Sequence, residues 1–509
     1  MTCTVLSGTL LGVDAHPVHV EVDLLRRLPS VVIVGLPGGA VRESADRVRS
    51  AIQQCEFEFP RKRVVINLAP ADLRKSGTGF DLPIAVGILA ASEQVPLDKL
   101  NGTAFLGELS LDGQLRRVRG ALSVALMARA RGAKRVVLPM EGAAEAAVVS
   151  GIEVLAARDL GEVGAWLRGT HALTVPATPV RPSPSTGFDL REVRGQHDAR
   201  RALEVAAAGG HNLLMVGSPG CGKSMLAARM PGILPSLSFD EAVDITRIHS
   251  VAGTLPDGRD LVTDRPFRAP HHSITSAGMV GNASLRPGEI SLAHHGVLFL
   301  DEVAEFSRSV LELLRGPLED RRVRLTRASG TVDLPASVCL VAAANPCPCG
   351  FLGHPSRPCI CTPGKIDAYR QRLSGPLLDR IDLHVWVQPV DADTLASEDC
   401  GEDSAIVRAR VEAARDRQRQ RFATLDTPLR LQCNAQLQGD LVRKVADPTP
   451  AALKVLSQTL DQLGLSARAW SRMLKVARTL ADLDDATRVE TPHVLEAAAW
   501  RPQLTQRSS

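Results

Sequence analysis

Gly217-Ser218-Pro219-Gly220-Cys221-Gly222-Lys223-Ser224 decides the reading of this 509-residue chain. The stretch fills every fixed position of the phosphate-loop pattern G-x-x-x-x-G-K-[ST]. Before it, Asn212-Leu213-Leu214-Met215-Val216 predicts a buried strand. After it, Met225-Leu226-Ala227-Ala228-Arg229 predicts the start of a helix. That strand–loop–helix context gives the pattern a mechanism. Glycines let backbone N–H groups curl around phosphate oxygens, and the helix N-terminus adds a favourable field. Lys223 then reaches the β- and γ-phosphates, and the Ser224 hydroxyl faces Mg²⁺. Residues Gly217 to Ser224 are thus expected to bind a nucleoside triphosphate with Mg²⁺.

Hydrolysis needs more than binding: an acid for the metal, a group to activate water, and a positive charge for the transition state. The chain supplies candidates in order. Gly296-Val297-Leu298-Phe299-Leu300 predicts a second buried strand ending in Asp301 and Glu302. Asp301 is expected to hold Mg²⁺ through its water shell, and Glu302 to polarise the attacking water as general base. A third apolar strand, Val338 to Ala344, ends at Asn345, whose amide suits the γ-phosphate or the water. Arg380, in Leu377-Leu378-Asp379-Arg380-Ile381-Asp382-Leu383, is placed at the end of a helix, where its fork suits a neighbouring subunit's γ-phosphate. The alternative for Arg380 is a salt bridge to Asp379 or Asp382.

The ordered set of phosphate loop, LFLDE, AANP and LLDRIDL resembles the AAA+ ATPases, in the branch that holds magnesium chelatase and the MCM helicases. Arg265-Pro266-Phe267-Arg268-Ala269-Pro270-His271-His272 and Arg286-Pro287-Gly288-Glu289-Ile290-Ser291-Leu292-Ala293-His294 narrow the resemblance to the bacterial ComM/YifB proteins, from Leu6 to about Pro502. The resemblance implies an α/β fold: an AAA+ phosphate-loop core with a helical lid, preceded by a Lon-protease-like α/β domain. It also implies a homo-hexameric ring that drives DNA branch migration and, in naturally competent bacteria, helps integrate incoming strands. Val193 and Gly195 are then expected at the adenine pocket. Arg468, after the N-cap Ser466, resembles the lid arginine that contacts γ-phosphate, with Arg472 one turn on as its backup. Relatives push a hairpin into the ring pore, and the matching stretch, Arg321 to Val332, alternates as a hairpin turning near Ser329-Gly330. Arg327 beside that turn is the expected DNA-backbone contact, with Arg324 and Arg268 as further candidates. The alternative is an exposed charged hairpin without a special role.

The N-terminal stretch alternates strand-like runs (Ser30 to Val34, Val64 to Leu68, Arg135 to Leu138) with helical ones. In the Lon-type pattern the nucleophile is a Ser in a G-P-S-A-G string. Here that position falls on Gly79, and the partner Lys falls near Leu122 to Val124. Losing both members of the dyad removes the protease chemistry. Ser76 beside Lys75 is out of register. The basic runs Arg61 to Arg63 and Arg116 to Arg119 are either DNA contacts or solvated faces.

Composition sets the frame. A chain this long holds two or three domains. Pro176 to Ser185 is a linker by composition. The expected parts are 1–172, the linker 173–187, the ATPase core 188–390 and the lid 391–509. A net charge of +4 neither demands nor excludes nucleic acid. Aromatic residues at 3% argue against base-stacking platforms. No apolar run reaches membrane-spanning length, and the N-terminus lacks a basic n-region, so a cytoplasmic protein without membrane contact is expected. The Arg-rich helix from Ala405 to Phe422 reads equally as a solvated face or a DNA-tracking surface.

Cys347-Pro348-Cys349 and Cys359-Ile360-Cys361 flank a short loop that contains His354. Paired thiolates at both ends of a loop suit a tetrahedral Zn²⁺ site, with His354 as a possible substitute ligand; free thiols or redox-labile pairs are the alternative. Cys221 reads as a small filler. The adjacent pairs His271-His272 and His294-His295 are not expected to face one ion. Rival readings of the whole are a chelatase-type motor acting on a protein partner, a non-catalytic scaffold, and an ATP-dependent protease.

Overall fold

Runs of Val, Ile, Leu and Ala form two sheets, and helices cover them. The computed structural model describes residues 2–177, 187–255, 260–327, 330–373, 375–391, 393–394, 401–427, 431–463 and 466–501. Residues 178–186 of the expected linker, residues 328–329 of the expected hairpin turn, and residues 392 and 395–400 at the start of the expected lid lie outside these. No helix among the described residues is long and apolar enough to cross a membrane.

The N-terminal sheet is mixed. Its strands are β1 (Cys3–Leu11), β2 (Asp14–Leu25), β3 (Ser30–Val34), β4 (Arg63–Ala69) and β5 (Thr103–Phe105). After the small β6–β7 hairpin (Glu108–Leu109 and Leu115–Arg116) come β8 (Arg135–Pro139) and β9 (Glu153–Ala157). The order is β3-β4-β2-β1-β5-β8-β9. Helix Asp81–Ala91 (DLPIAVGILAA) is buried at every residue and forms the centre of this part. Just before it lies Gly79, where an added Cβ would stand 2.8 Å from Leu106 Cδ1. A serine at the position of the Lon-type nucleophile would have to displace the Leu106 side chain. Leu122 and Val124, where the partner Lys would fall, are buried and apolar. Lys75 is also buried and donates to the Pro70 carbonyl, so it serves no nucleophile.

The second sheet is all parallel. It comprises β10 (Leu213–Val216), β11 (Phe267–Arg268), β12 (Val297–Leu300), β15 (Cys339–Ala344) and β16 (Leu383–Trp386), in the order β11-β12-β15-β10-β16. Every residue of β10, β12 and β15 is buried. Parallel strands covered on both faces need such continuous apolar runs. The register pairs Val216 with Ala344 and Leu300 with Ala342. The residues that follow these strands, Gly217, Asp301 and Asn345, therefore emerge along one edge. Ligands of open α/β sheets bind at the carboxyl ends of the strands.

Between β12 and β15 stands a two-stranded hairpin, β13 (Arg322–Arg327) and β14 (Gly330–Pro335). One face buries Val323, Leu325, Val332 and Leu334; the other exposes Arg322 and Arg324, and Arg327 is exposed at the end of β13. The buried face joins Val13, from the β1–β2 turn, in one apolar cluster. The β1–β2 turn thus packs along β14, with Gly12 against Leu334 and Val332 and Leu11 near Gly330.

The C-terminal helices Ser404–Ala423, Asp440–Ala446, Pro450–Leu463, Ala467–Leu483 and Thr491–Ala499 close the molecule. Helix Ser404–Ala423 fits neither expected reading, because most of its arginines are clamps. Arg408 donates to the Gly232 carbonyl and Arg415 to the Ala207 carbonyl. Arg410 pairs with Glu204 and Glu402, and Arg421 with the buried Asp482. An arginine fork satisfies the exposed carbonyls of a neighbouring helix end as readily as it binds phosphate.

Candidate functional site

The phosphate loop joins β10 to helix Lys223–Ile233. Gly220 and Gly222 have φ of +79° and +95°, a region that residues with a side chain rarely adopt. Lys223 Nζ lies 2.6 Å from the Gly217 carbonyl oxygen, 2.9 Å from that of Ser218, and 3.3 Å from Asn345 Oδ1. Lys223 and Asn345 therefore converge at the mouth of the loop. The Ser224 hydroxyl donates to Asp301 Oδ2 at 2.7 Å, and the Glu302 amide donates to Asp301 Oδ1 at 2.9 Å. A hydroxyl and a carboxylate brought together this way fit a hard cation with oxygen ligands, as Mg²⁺ is. Cys221 is buried, and burial raises its thiol above the ordinary range; it fills space. Pro219 lies on the exposed outer side of the loop.

Val193 is fully buried, and Gly195 lines a cleft with Leu190, His197 and Arg200. Gln196 follows and donates to the Cys221 carbonyl at 3.1 Å, so this turn backs directly onto the phosphate loop. Sequence reasoning missed Tyr369, the only tyrosine of the chain. It sits on helix Pro363–Arg372, and its phenol is hydrogen-bonded by the Asn345 backbone. Burial pushes the phenol up to about 12, and the nearby Glu305 and Glu302 carboxylates act in the same direction. No motif marks it; a lone aromatic in an Arg-rich helix carries no sequence signal.

Arg380 lies at the opposite end of the sheet. It precedes β16, and β16 runs parallel to β10 with Leu383 paired to Leu213. A four-residue strand spans about 13 Å, which separates Arg380 from its own phosphate loop. Its side chain is 8% exposed, and its ion-pair partner is Glu319 at 2.9 Å, not the expected Asp379 or Asp382. It also donates to the carbonyls of Arg315 and Pro376. Asn212 donates to the Arg380 carbonyl at 2.9 Å and accepts from the Leu340 amide at 3.0 Å, which links this turn to β15 and so to Asn345.

The lid arginines join Arg380 at that end. Arg472 donates to Asp382 Oδ1 at 2.7 Å, and Arg468 is exposed one turn earlier on the same helix face. Burial works to raise the Asp382 carboxyl. Arg472, His211 and Lys475 more than reverse it and hold it far below the ordinary carboxylate range. His211, fully buried, bridges Asp382 to Thr479 of the lid helix.

Two candidate DNA contacts are already paired. Arg268 makes a bidentate pair with Glu289, both distances 2.7 Å. Arg324 makes another with Asp333, at 2.8 and 3.0 Å, although it is 75% exposed. A guanidinium bidentate to a carboxylate keeps some of its five N–H donors, but its charge is largely neutralised by the partner. Arg327 is exposed beside the hairpin turn and donates to the Thr326 carbonyl at 3.0 Å. Of the basic runs, Arg117 pairs with buried Glu145 and Arg119 packs at Gly253, so both face the contact between the two sheets.

The four clustered cysteines, Cys347, Cys349, Cys359 and Cys361, have sulfurs within 4.8 Å of one another. His354 is not among them. Its Nδ1 accepts from the Ser356 and Arg357 amides and closes the loop. Against expectation, His294 and His295 do bring ring nitrogens within 4.8 Å of each other and of Asp244, although His294 Nδ1 already accepts from the Ser337 amide.

The family described as "Magnesium chelatase, subunit ChlI" matches residues 189–395. "Subunit ChlI of Mg-chelatase" matches residues 20–142, and "Magnesium chelatase, subunit ChlI C-terminal" matches residues 401–501. The uncharacterized protein YifB of Salmonella typhimurium is 44% identical over 499 residues, 96% of this chain and 95% of its own. The competence protein ComM of Haemophilus influenzae is 41% identical over 508 residues, 98% of this chain and 97% of its own. A shorter likeness, 32% identity over 95 residues, is to Lon protease 2 of Bacillus subtilis. With relatives this similar along almost their whole length, the chain belongs to the ComM/YifB family of magnesium-chelatase-like AAA+ proteins.

Proposed function

We propose that this protein is an ATP-hydrolysing homo-hexameric motor that moves on branched DNA in the cytoplasm and promotes branch migration in recombination or natural transformation. The observation that carries the reading is the separation of Arg380 from its own phosphate loop by the length of the sheet. An arginine at the far edge serves catalysis only when a second subunit brings it to the first subunit's nucleotide. Arg472 and Arg468 stand at the same edge and extend the same logic to the lid.

In this reading Gly217 to Ser224 wrap the phosphates, Val193 and Gly195 back the base, and Lys223 meets the β- and γ-phosphates. Ser224 and Asp301 hold Mg²⁺, which neutralises phosphate charge when bound. Glu302 takes a proton from the attacking water, Asn345 orients the water and γ-phosphate, and Arg380 of the next subunit neutralises the charge developed in transfer. Arg327 from each hairpin grips the DNA backbone in the pore without reading sequence. The competence protein among the relatives supports DNA as the partner. We divide the chain at 173–187 and near 390, with the N-terminal part as a non-catalytic collar. ATP and Mg²⁺ are the working cofactors, and the cysteine cluster is a candidate zinc site.

The magnesium-chelatase matches favour a second reading, a motor that remodels a protein partner without DNA. ATP turnover measured with and without forked or four-way DNA separates the two. Stimulation by branched DNA that Arg327→Ala abolishes is the expected result. Strong turnover indifferent to DNA supports the second reading instead.

A further inference from the structure

The cysteine cluster has the geometry of a closed metal site. Cys347 Sγ lies 3.4 Å from Cys349 Sγ and 3.6 Å from Cys359 Sγ; Cys349 and Cys359 are also 3.6 Å apart. A disulfide brings two sulfurs to about 2.05 Å, which none of these pairs approaches. Four thiolates held at about 2.3 Å from one tetrahedral Zn²⁺ stand about 3.8 Å from each other. The observed spacings lie near that edge length. Two backbone amides also point at sulfur: Cys349 N–H to Cys361 Sγ and Cys361 N–H to Cys359 Sγ, both at 3.4 Å. Such donors stabilise thiolate charge and orient the ligands. An all-sulfur set without water or carboxylate selects zinc over magnesium and leaves no open position for catalysis.

The placement says what the metal is for. Cys347 follows Asn345 by two residues, and Asn345 Oδ1 already contacts Lys223. At the other end, Cys361 leads into helix Pro363–Arg372, which carries Tyr369 back to the Asn345 backbone. Gly350, φ +80°, ends the first cysteine turn, and a Cβ added there would lie 2.5 Å from Pro219 Cδ. The turn therefore rests directly on the phosphate loop, and only glycine permits the approach.

We propose that Cys347, Cys349, Cys359 and Cys361 bind one structural Zn²⁺, and that this ion braces the nucleotide site by holding Asn345 beside Lys223 and the Cys347–Gly350 turn against Pro219. Binding deprotonates the thiols and releases the protons to solvent. The bracing half of the proposal rests on the nucleotide-binding reading above.

The test uses the full chain. Zinc in desalted wild-type protein is counted by mass spectrometry, and protein grown on Co²⁺ is examined for tetrahedral thiolate absorption. About one metal per chain, released on mercurial titration of about four thiols, is expected. A fluorescent ATP analogue then reports nucleotide affinity. Stripping the zinc weakens it about ten-fold, and Zn²⁺ returns it. Cys359→Ser with Cys361→Ser reproduces the loss, while Cys55→Ser, remote from the loop, keeps both metal and affinity. Metal-free protein with freely reacting or disulfide-linked thiols overturns the zinc site. Zinc that leaves without changing analogue affinity overturns the brace. Analogue that fails to bind zinc-loaded wild type defeats the nucleotide reading and leaves the zinc count standing. If the double variant does not fold, the wild-type count and the stripping experiment still decide.

Discussion

Glu302 shows how one backbone conformation serves chemistry. It has φ 47° and ψ 48°, left-handed for a residue with a full side chain. Such residues cost of order 1–3 kcal/mol and persist where the surroundings over-determine them. Here the Glu302 amide is tied to Asp301, which is in turn tied to Ser224, so the backbone turns the two carboxylates apart. Asp301 faces the Ser224 hydroxyl, and the Glu302 side chain stays exposed. Glu302→Gln is expected to bind ATP as wild type does and to lose about 10²–10⁴-fold in turnover. Single-turnover hydrolysis beside equilibrium analogue binding checks this, and near-normal turnover would remove Glu302 from the role of base.

At the scale of elements, Asn212 joins three pieces of chain. It begins the run into β10, accepts from the Leu340 amide of β15, and donates to the Arg380 carbonyl before β16. Through it the strand that ends in the phosphate loop, the strand that ends in Asn345 and the turn that holds Arg380 are tied together. Asn212→Ala leaves a buried N–H and a buried C=O unpaired, at about 1–3 kcal/mol each. The expected outcome is a lowered urea midpoint with turnover reduced more than nucleotide affinity, because Arg380 loses its register and the loop does not. Unchanged turnover in a folded variant would show that the turn keeps its place without the amide.

At the scale of the molecule, the proposed catalytic residues are divided between two edges of one sheet. Mixing makes this measurable. Arg380→Ala and Glu302→Gln are each expected to be inactive alone, and Arg380→Ala to cost about 10³-fold or more. Combined, the two variants form rings in which some interfaces hold an intact Glu302 and an intact Arg380, so part of the activity returns. No recovery in mixed rings verified by native mass spectrometry would place both residues in the same site.

The whole fold also carries a pH signature. His211, His249, His294, His295 and His384 are all held below the ordinary imidazole range chiefly by burial, His384 down to about 3. A group with a lowered folded pKa binds its proton more readily when the chain is unfolded. Between the two values stability rises with pH, so it is lost on acidification from about 6.5 downward, by up to about 1.4 kcal/mol per pH unit for each such histidine. The depressed Asp382 works in another window. Its contribution is present above the ordinary carboxylate value and is lost only as pH falls through its own lower one. The urea midpoint is therefore expected to drop between pH 6.5 and 5, before carboxylates protonate. A flat profile there would contradict neutral burial of these imidazoles.

What the sequence determined by itself is what contiguous residues encode. The phosphate loop, Asp301 and Glu302, and Asn345 each close an apolar run, and a parallel sheet delivers strand ends to one edge. The hairpin was legible from its alternation, and the absent protease dyad from Gly79 and the Leu122 to Val124 segment. Tertiary structure decided whatever depends on residues far apart in the chain. It drew Arg268 to Glu289 and Arg324 to Asp333, and turned the arginines of helix Ser404–Ala423 into clamps. It gave Arg380 to Glu319 and set Tyr369 against Asn345. An arginine reads the same in sequence whether its partner is a phosphate, a carboxylate or a carbonyl. Only the packed fold fixes which acceptor lies within hydrogen-bonding reach, because that distance is set by how separate elements pack.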